Sequence, residues 1–452
     1  MSASIRSFVR SDPLITIVGL VVTGLVIAAV LIMVDTIGYN ISGAALIGPV
    51  LVLISIPALL RQARREADPT LFRLLLLALI VKLLASLVRY FVDFHVYGGA
   101  TDALGYHHAG IRWSHALVAG GTGSQGQGLT GTNFIEMVTG VVYVVTRPTL
   151  LGGYLVFSWF AFWGLFFFYR AFVIAVPEGR SRSYARLVFF FPSLLFWPSG
   201  TGKEAWMIFT LGIASFGVAK LFAGQTKQGI GALALGLWLA ALARPHVAAI
   251  LAISLLAAGG VALFAGRGRS VSVPRKVIIL AVAGGVSFLL VVSTRSYFQE
   301  SRVVAADEGV LSTLTAIEQR TAQGGSEFTP FVVDSPAVFP AAAVTVLFRP
   351  FIIEAHSAQA VMTALEGAVL AVICLARWRW ALAALTSIRR QPYVLFAILF
   401  TAAFVVAFSS IANFGILARE RVQVIPFLLV AVSIPPRVSV GRVEPEAVRE
   451  SA

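Results

Sequence analysis

Cysteine is almost absent from this chain. Cys374 stands alone inside an apolar run, so no internal disulfide can form and the redox compartment leaves no mark on the sequence. Charge is scarce too. Only 12% of the 452 residues are Asp, Glu, Lys or Arg, and acids are the rarer sign, 21 against 35 bases. So little charge cannot cover a soluble fold of this length, which excludes a soluble enzyme. No repeat of 20 to 50 residues occurs, which sets solenoids aside. The glycine-rich "GTGSQGQGL" is too low in complexity for a phosphate loop and reads as a flexible linker.

What is abundant is apolar surface. Hydrophobic residues make up 58% of the chain and mean hydropathy is +0.87. A bilayer accepts that surface directly, so the chain reads as an all-α polytopic membrane protein. Runs of spanning length suggest about twelve transmembrane helices: 14–34, 42–60, 71–93, 150–175, 187–199, 206–222, 230–243, 248–265, 277–294, 356–376, 392–412 and 421–435. The basic start "MSASIRSFVRSDP" precedes a full-length run without a small-residue cleavage site, which suggests an uncleaved first helix. With a cytoplasmic N-terminus, "RQARREAD", "GRSRSYAR", "GRGRSVSVPRK", "RWRW", "SIRRQ" and the tail from Arg437 all fall inside, as the positive-inside rule requires. The net charge of +14 then reflects orientation, with no nucleic-acid partner. The expectation is one membrane domain over 1–435 with a tail at 436–452, and both termini cytoplasmic.

The opposite face receives two long connections, 94–149 and 295–355, and short turns at 200–205, 244–247 and 413–420. All six histidines (His95, His107, His108, His115, His246, His356) lie on or beside it. "TDALGYHHAGIRWSHALVAG" has helical apolar spacing and reads as an interfacial helix. "TNFIEMVTGVVYVVTRPTL" offers about half a span before Pro148, so it reads as a re-entrant or surface helix.

The outer turns carry cations against the positive-inside trend: Lys203 in "SGTGKEAW", Arg244 in "LARPHV", Arg349 in "LFRPF", Arg419 and Arg421 in "LARERVQVIP". A lipid-linked phosphate at the outer interface would explain them, because Lys and Arg bind phosphate through charge-assisted hydrogen bonds. Snorkelling, or pairing with Glu204, Glu354 or Glu420, is the alternative. Asp102, in "GGATDALGYHHAG", suits a general base. Sugar transfer from a phosphate carrier needs a group to take the acceptor proton, whereas phosphate leaves without a dedicated acid. The alternative role for Asp102 is an N-cap. Within the expected spans, Lys82 could pair with Glu366 if their helices touch, and Arg89 with Asp93 four residues on. Adjacent His107 and His108 point to different faces, which argues against a metal pair. A divalent cation, Mg or Mn, held by Asp102 with Glu136, Glu204 or a histidine stays open; otherwise no cofactor is expected.

In order, "TDALGYHHAG", "GTNFIEMVTGVVYVVTRPTLLGGYLVFSWFAFWGLFFFYRAF", "FPSLLFWPSGTGKEAW", "LARPHV" and "RERVQVIPFLL" resemble bacterial polytopic glycosyltransferases of the GT-C superfamily, ArnT-like and protein-mannosyltransferase-like members above all. The likeness runs over most of residues 70–435, but only Asp102 to Tyr106 and Lys203–Glu204 are specific enough to carry roles. Ala103 stands where many members have a glutamate. The resemblance implies a many-helix inner-membrane fold with an outer jaw between the third and fourth spans. It implies a polyprenyl-phosphate-linked sugar donor and a glycan, lipid or protein acceptor. Asp102 would be the base, Tyr106 would line its site, and Lys203 would face the lipid phosphate. His107, Glu204, Arg244, His246, Arg349, Arg419 and Arg421 complete the expected substrate and lipid-phosphate site. Two other readings are a Wzy-like polymerase or ligase and a lipid or glycan transporter; the inverted repeats that would favour a transporter are not seen.

Overall fold

The computed structural model describes residues 38–99, 101–121, 123, 128–264, 284, 317–322 and 326–436. The expected spans 14–34 and, apart from Gly284, 277–294 lie outside these residues, as do residues 295–316 of the second outer connection and both chain ends, including the cytoplasmic placement of the termini. Every regular element among the described residues is helical, with one isolated antiparallel bridge between Glu327 and Asn413.

α1 (Tyr39–Arg65) and α2 (Pro69–Phe91) form an antiparallel hairpin. Asp68 starts α2 by accepting from the Thr70 N–H, with Pro69 supplying a pre-set φ at the first position. α2 runs on as a π-helix over Val92–Val96. α3 (Asp102–Val118) and α4 (Thr132–Thr146) follow, then the long α5 (Leu150–Ala175). The Tyr39 hydroxyl donates to the Thr146 carbonyl at 2.6 Å, at the end of the bundle where α1 begins; at the other end the Tyr169 hydroxyl donates to Glu66 at 2.7 Å. α4 has 15 residues, short of a span as expected.

α6 (Ser181–Phe190) and α7 (Pro192–Phe196) occupy the expected span 187–199, which is not one helix. Pro192 cannot donate and its ring opposes the preceding turn, so α6 ends at Phe190 and Phe191 is extended. A 3-10 turn over Trp197–Ser199 follows. Two buried charges satisfy this broken stretch. Lys82 Nζ donates to the carbonyls of Leu194 and Leu195 at 2.6 and 3.1 Å, while Glu366 accepts from Ser193 Oγ and Trp197 Nε1 at 2.7 and 3.2 Å. Lys82 and Glu366 therefore do not bond to each other as the sequence suggested. Lys82 supplies the partner that two carbonyls of this irregular backbone require, while Glu366 holds the Ser193 and Trp197 side chains.

α8 (Lys203–Phe222), α9 (Thr226–Ala243) and α10 (Pro245–Phe264) complete the first part of the bundle. α11 (Phe339–Phe348), α12 (Ala358–Ala376), α13 (Trp378–Ser387), α14 (Pro392–Phe408), α15 (Phe414–Arg421) and α16 (Ile425–Ala431) make up the rest. α12 and α13 meet at a 67° bend, and the expected span 421–435 is the end of α15 plus the seven-residue α16. Among the described residues six helices (α1, α2, α5, α8, α9, α10) are long and apolar enough to cross a membrane, seven if the bent pair is one span. The chain is an all-α membrane protein.

α5 and α8 are the most buried of the six. Their backbones touch because neither has a side chain at the crossing: a Cβ on Gly164 would sit 2.2 Å from the Ile208 carbonyl oxygen, and one on Gly212 at 2.2 Å from that of Gly164. Small residues at such a crossing let helices pack where lipid offers no hydrophobic drive. Gly212→Ala forces the two backbones apart, and overpacking of this kind costs about 1–3 kcal/mol. The expected outcome is a lower unfolding temperature in detergent. An unchanged one would mean that the crossing bears no stability.

Candidate functional site

Five chain segments meet at one end of the bundle: the end of α2, the start of α3, the turn before α8, the α9–α10 junction, and α15 with the bridge residue Asn413 before it. The α2–α3 connection turns on Gly98 and Gly99, both left-handed at φ +61° and +78°. It delivers Asp102 as the first residue of α3. Thr101 is the N-cap and its side chain makes no cap bond, so Asp102 is not the N-cap considered from sequence. The Asp102 carboxylate instead accepts from Arg419 Nη1 at 2.8 Å across 317 positions of sequence, with 68% of its side chain exposed. Asparagine 413 fixes that partner: its side chain caps α15 by accepting from the Ile416 N–H at 3.1 Å.

One turn after Asp102, Tyr106 is buried beside Gly202, where a Cβ would meet the Tyr106 ring at 3.6 Å and Glu204 Oε2 at 3.2 Å. Burial, with Glu204 and Asp102 nearby, pushes the Tyr106 phenol well above its ordinary value, so it acts as a neutral hydroxyl. Lys203 turns away, its Nζ donating to Thr132 Oγ1 on α4 at 2.9 Å. Glu204 accepts from Arg244 Nη2 at 3.2 Å, and Arg244 Nη1 is bonded to Glu420. Gln423 Nε2 adds a bond to Glu420 Oε2 at 2.6 Å. One guanidinium thus ties α8, α15 and the α9–α10 junction. Burial alone would lower the Arg244 pKa, but Glu420 and Glu204 hold it above its ordinary value. Burial raises the Glu420 pKa, and Arg244 opposes that rise.

A cavity of about 490 Å³ opens here, and its walls include Asp102, Glu204, Arg419, Arg89, Asp93, Tyr97, Trp197, Thr201 and Asn413. Of the residues expected from sequence, Asp102, Glu204 and Arg419 line it together. Tyr106 and Arg244 stand behind Glu204. Lys203 is on the α4 side. His107 bonds through Nδ1 to the Tyr143 hydroxyl at 2.7 Å, and burial beside His108 lowers its pKa. His246 packs against Phe408, ring centroids 5.9 Å apart. Arg349 and Arg421 are elsewhere. Arg349 Nε donates to Glu354 at 2.9 Å and its guanidinium covers the Phe328 and Phe414 rings, while Arg421 Nε donates to the Val346 carbonyl at 3.0 Å. The five cations expected on the outer face do not converge on one cradle. Pairing with Glu204, Glu420 and Glu354, weighed above as the alternative, is what Arg244 and Arg349 adopt.

The cavity also contains residues that the sequence pointed to only as structure. Arg89 Nε donates to Asp93 Oδ2 at 3.0 Å, the Tyr154 hydroxyl donates to the same oxygen at 2.7 Å, and the Arg89 guanidinium lies over Phe196 and Trp197 at 4.7 and 5.0 Å. The signal was an acid–base pair four apart at the end of α2, just before the connection that leads to Asp102. Among the described residues no three of His, Cys, Asp and Glu group closely enough to hold a metal ion. No family model, curated protein or solved structure matches this chain.

Proposed function

We propose that this protein is a GT-C-like glycosyltransferase of a bacterial inner membrane, with about twelve spans in one domain over 1–435 and cytoplasmic termini, moving a sugar from a polyprenyl-phosphate carrier to an extracytoplasmic acceptor. The observation that carries the reading is the meeting of Asp102 with Arg419 and Glu204 at the mouth of one cavity, at the end of the bundle that the basic loops assign to the outside. In this reading the Asp102 carboxylate takes the proton of the acceptor hydroxyl, the freed oxygen attacks the anomeric carbon, and the bond from that carbon to the phosphate oxygen breaks. The electron pair leaves with polyprenyl phosphate, a good leaving group, so one carboxylate suffices. Arg419 pairs with Asp102 on the cavity wall, and in this reading Lys203, which lies outside that wall and donates to Thr132, would have to swing from α4 to meet the departing phosphate.

The test is a reconstitution. Vesicles containing the full chain, supplied with a panel of polyprenyl-phosphate hexoses and pentoses, should release polyprenyl phosphate and form a new glycoside. Donors left intact across the panel would overturn the reading, and an uncleaved lipid-linked sugar appearing in the opposite leaflet would establish the transporter instead.

A further inference from the structure

The cavity's charge does not suit an anion. Its two arginines, Arg89 and Arg419, are each already bonded to an aspartate, and Glu204 is a third carboxylate on the wall. Arg244 behind Glu204 offers no spare positive charge, because Glu204 and Glu420 both hold it. Lys203, the cation suited to phosphate, faces Thr132 on α4 and is not part of the wall. An incoming phosphate or uronate would thus meet more carboxylates than cations in a partly desolvated site.

What the walls offer is ring surface beside planar acceptors. Tyr97 lines the same wall as Asp102, Glu204 and Asn413, whereas Trp197 is buried beneath the Arg89 guanidinium and leaves the platform to Tyr97. Aromatic faces accept the C–H side of a sugar ring, and carboxylates accept its hydroxyl protons. The volume is that of a small-molecule site. The wall consists of helix ends, turns and the single bridge residue Asn413, and among the described residues it offers neither a continuous strand edge nor an apolar helix groove, the common docking surfaces for a peptide.

We infer that the acceptor entering this cleft is a neutral carbohydrate, presenting a hydroxyl to Asp102, and not a phosphate-bearing lipid, an acidic glycan or a peptide. The word acceptor rests on the glycosyl-transfer reading; the preference for a neutral polyol rests on the cleft alone.

The test separates the two. The full-length chain in nanodiscs is probed by saturation-transfer NMR with the methyl glycosides of glucose, mannose and galactose, their uronate counterparts, and a Ser/Thr peptide. At least one neutral glycoside is expected to bind, about 10-fold or more tighter than its uronate, which differs only by a carboxylate. Tyr97→Leu, which keeps apolar bulk but removes the ring, should weaken that binding about 5-fold at an unchanged unfolding temperature. Equal or tighter binding of the uronate, no binding of any neutral glycoside, binding of the peptide alone, or indifference to Tyr97→Leu would each overturn the inference. The same compounds then serve as acceptors in the donor assay. Transfer to the peptide and to no saccharide would overturn the inference while leaving the glycosyltransferase reading standing. Neutral glycosides that bind as expected, with every donor left intact, would instead sink the glycosyltransferase reading and leave a carbohydrate-binding cleft.

Discussion

Asp102→Asn is expected to lower sugar transfer about 100-fold or more, the usual share of a general base, while leaving the fold in place. Asparagine keeps the size of the side chain and an oxygen that can still accept from Arg419, but it cannot take a proton. The pair it weakens is open on the Asp102 side, with 68% of that side chain in solvent against 33% for Arg419. Exposed pairs of this kind are worth about 0–1 kcal/mol, so the unfolding temperature should barely move. The measurement is the initial rate of polyprenyl-phosphate release by purified wild-type and variant chains, alongside thermal unfolding of each. Arg419→Gln provides the control. If Asp102 acts only by fastening α3 to α15, breaking the pair from the other side should reproduce the loss. If Asp102 is the base, Arg419→Gln should retain much more activity than Asp102→Asn. Near wild-type transfer by Asp102→Asn would remove the mechanism.

The largest stability effect is expected at Arg244. Replacing it by methionine leaves Glu204 and Glu420 without their shared cation, in a place where burial already raises the Glu420 pKa. Removing one partner of a buried pair costs about 3–5 kcal/mol, so Arg244→Met should unfold at a markedly lower temperature. Adding Glu204→Gln and Glu420→Gln to the same protein should recover much of the loss, because the uncompensated charge, not the missing attraction, dominates. The pH dependence has a definite sign. A carboxyl whose folded pKa lies above its unfolded value binds its proton more tightly in the folded state. Its contribution is therefore complete below the unfolded value, near 4.3 for glutamate, and is lost as pH rises through the folded value. Arg244 opposes the rise at Glu420, so its removal widens that window. Arg244→Met should thus be stabilised by acidification more than the wild type. Equal pH profiles, or no rescue by the two Gln substitutions, would show that the carboxylates are not held by Arg244.

Composition by itself determined the class of this protein. Charge too sparse to clothe a soluble surface, and apolar runs of bilayer length, leave helices as the element that satisfies its own backbone in lipid, and α1, α2, α5, α8, α9 and α10 follow. Local spacing determined the Arg89–Asp93 pair and the short α4, since both depend only on neighbours along one helix. Asp102 and the cations of the short turns were legible as charges in an apolar chain, which marks a residue as interesting without saying what it touches. The tertiary structure decided the rest. Hydropathy averages over a window and cannot register one proline, so 187–199 looked like a span until Pro192 broke it and Lys82 bonded the Leu194 and Leu195 carbonyls of the irregular stretch that follows. Which cation meets which acid depends on how helices cross, not on their order. Arg419 reaches Asp102 across 317 positions and Arg244 is drawn behind Glu204, because electrostatic pairing acts over a few ångströms of space that sequence distance does not encode.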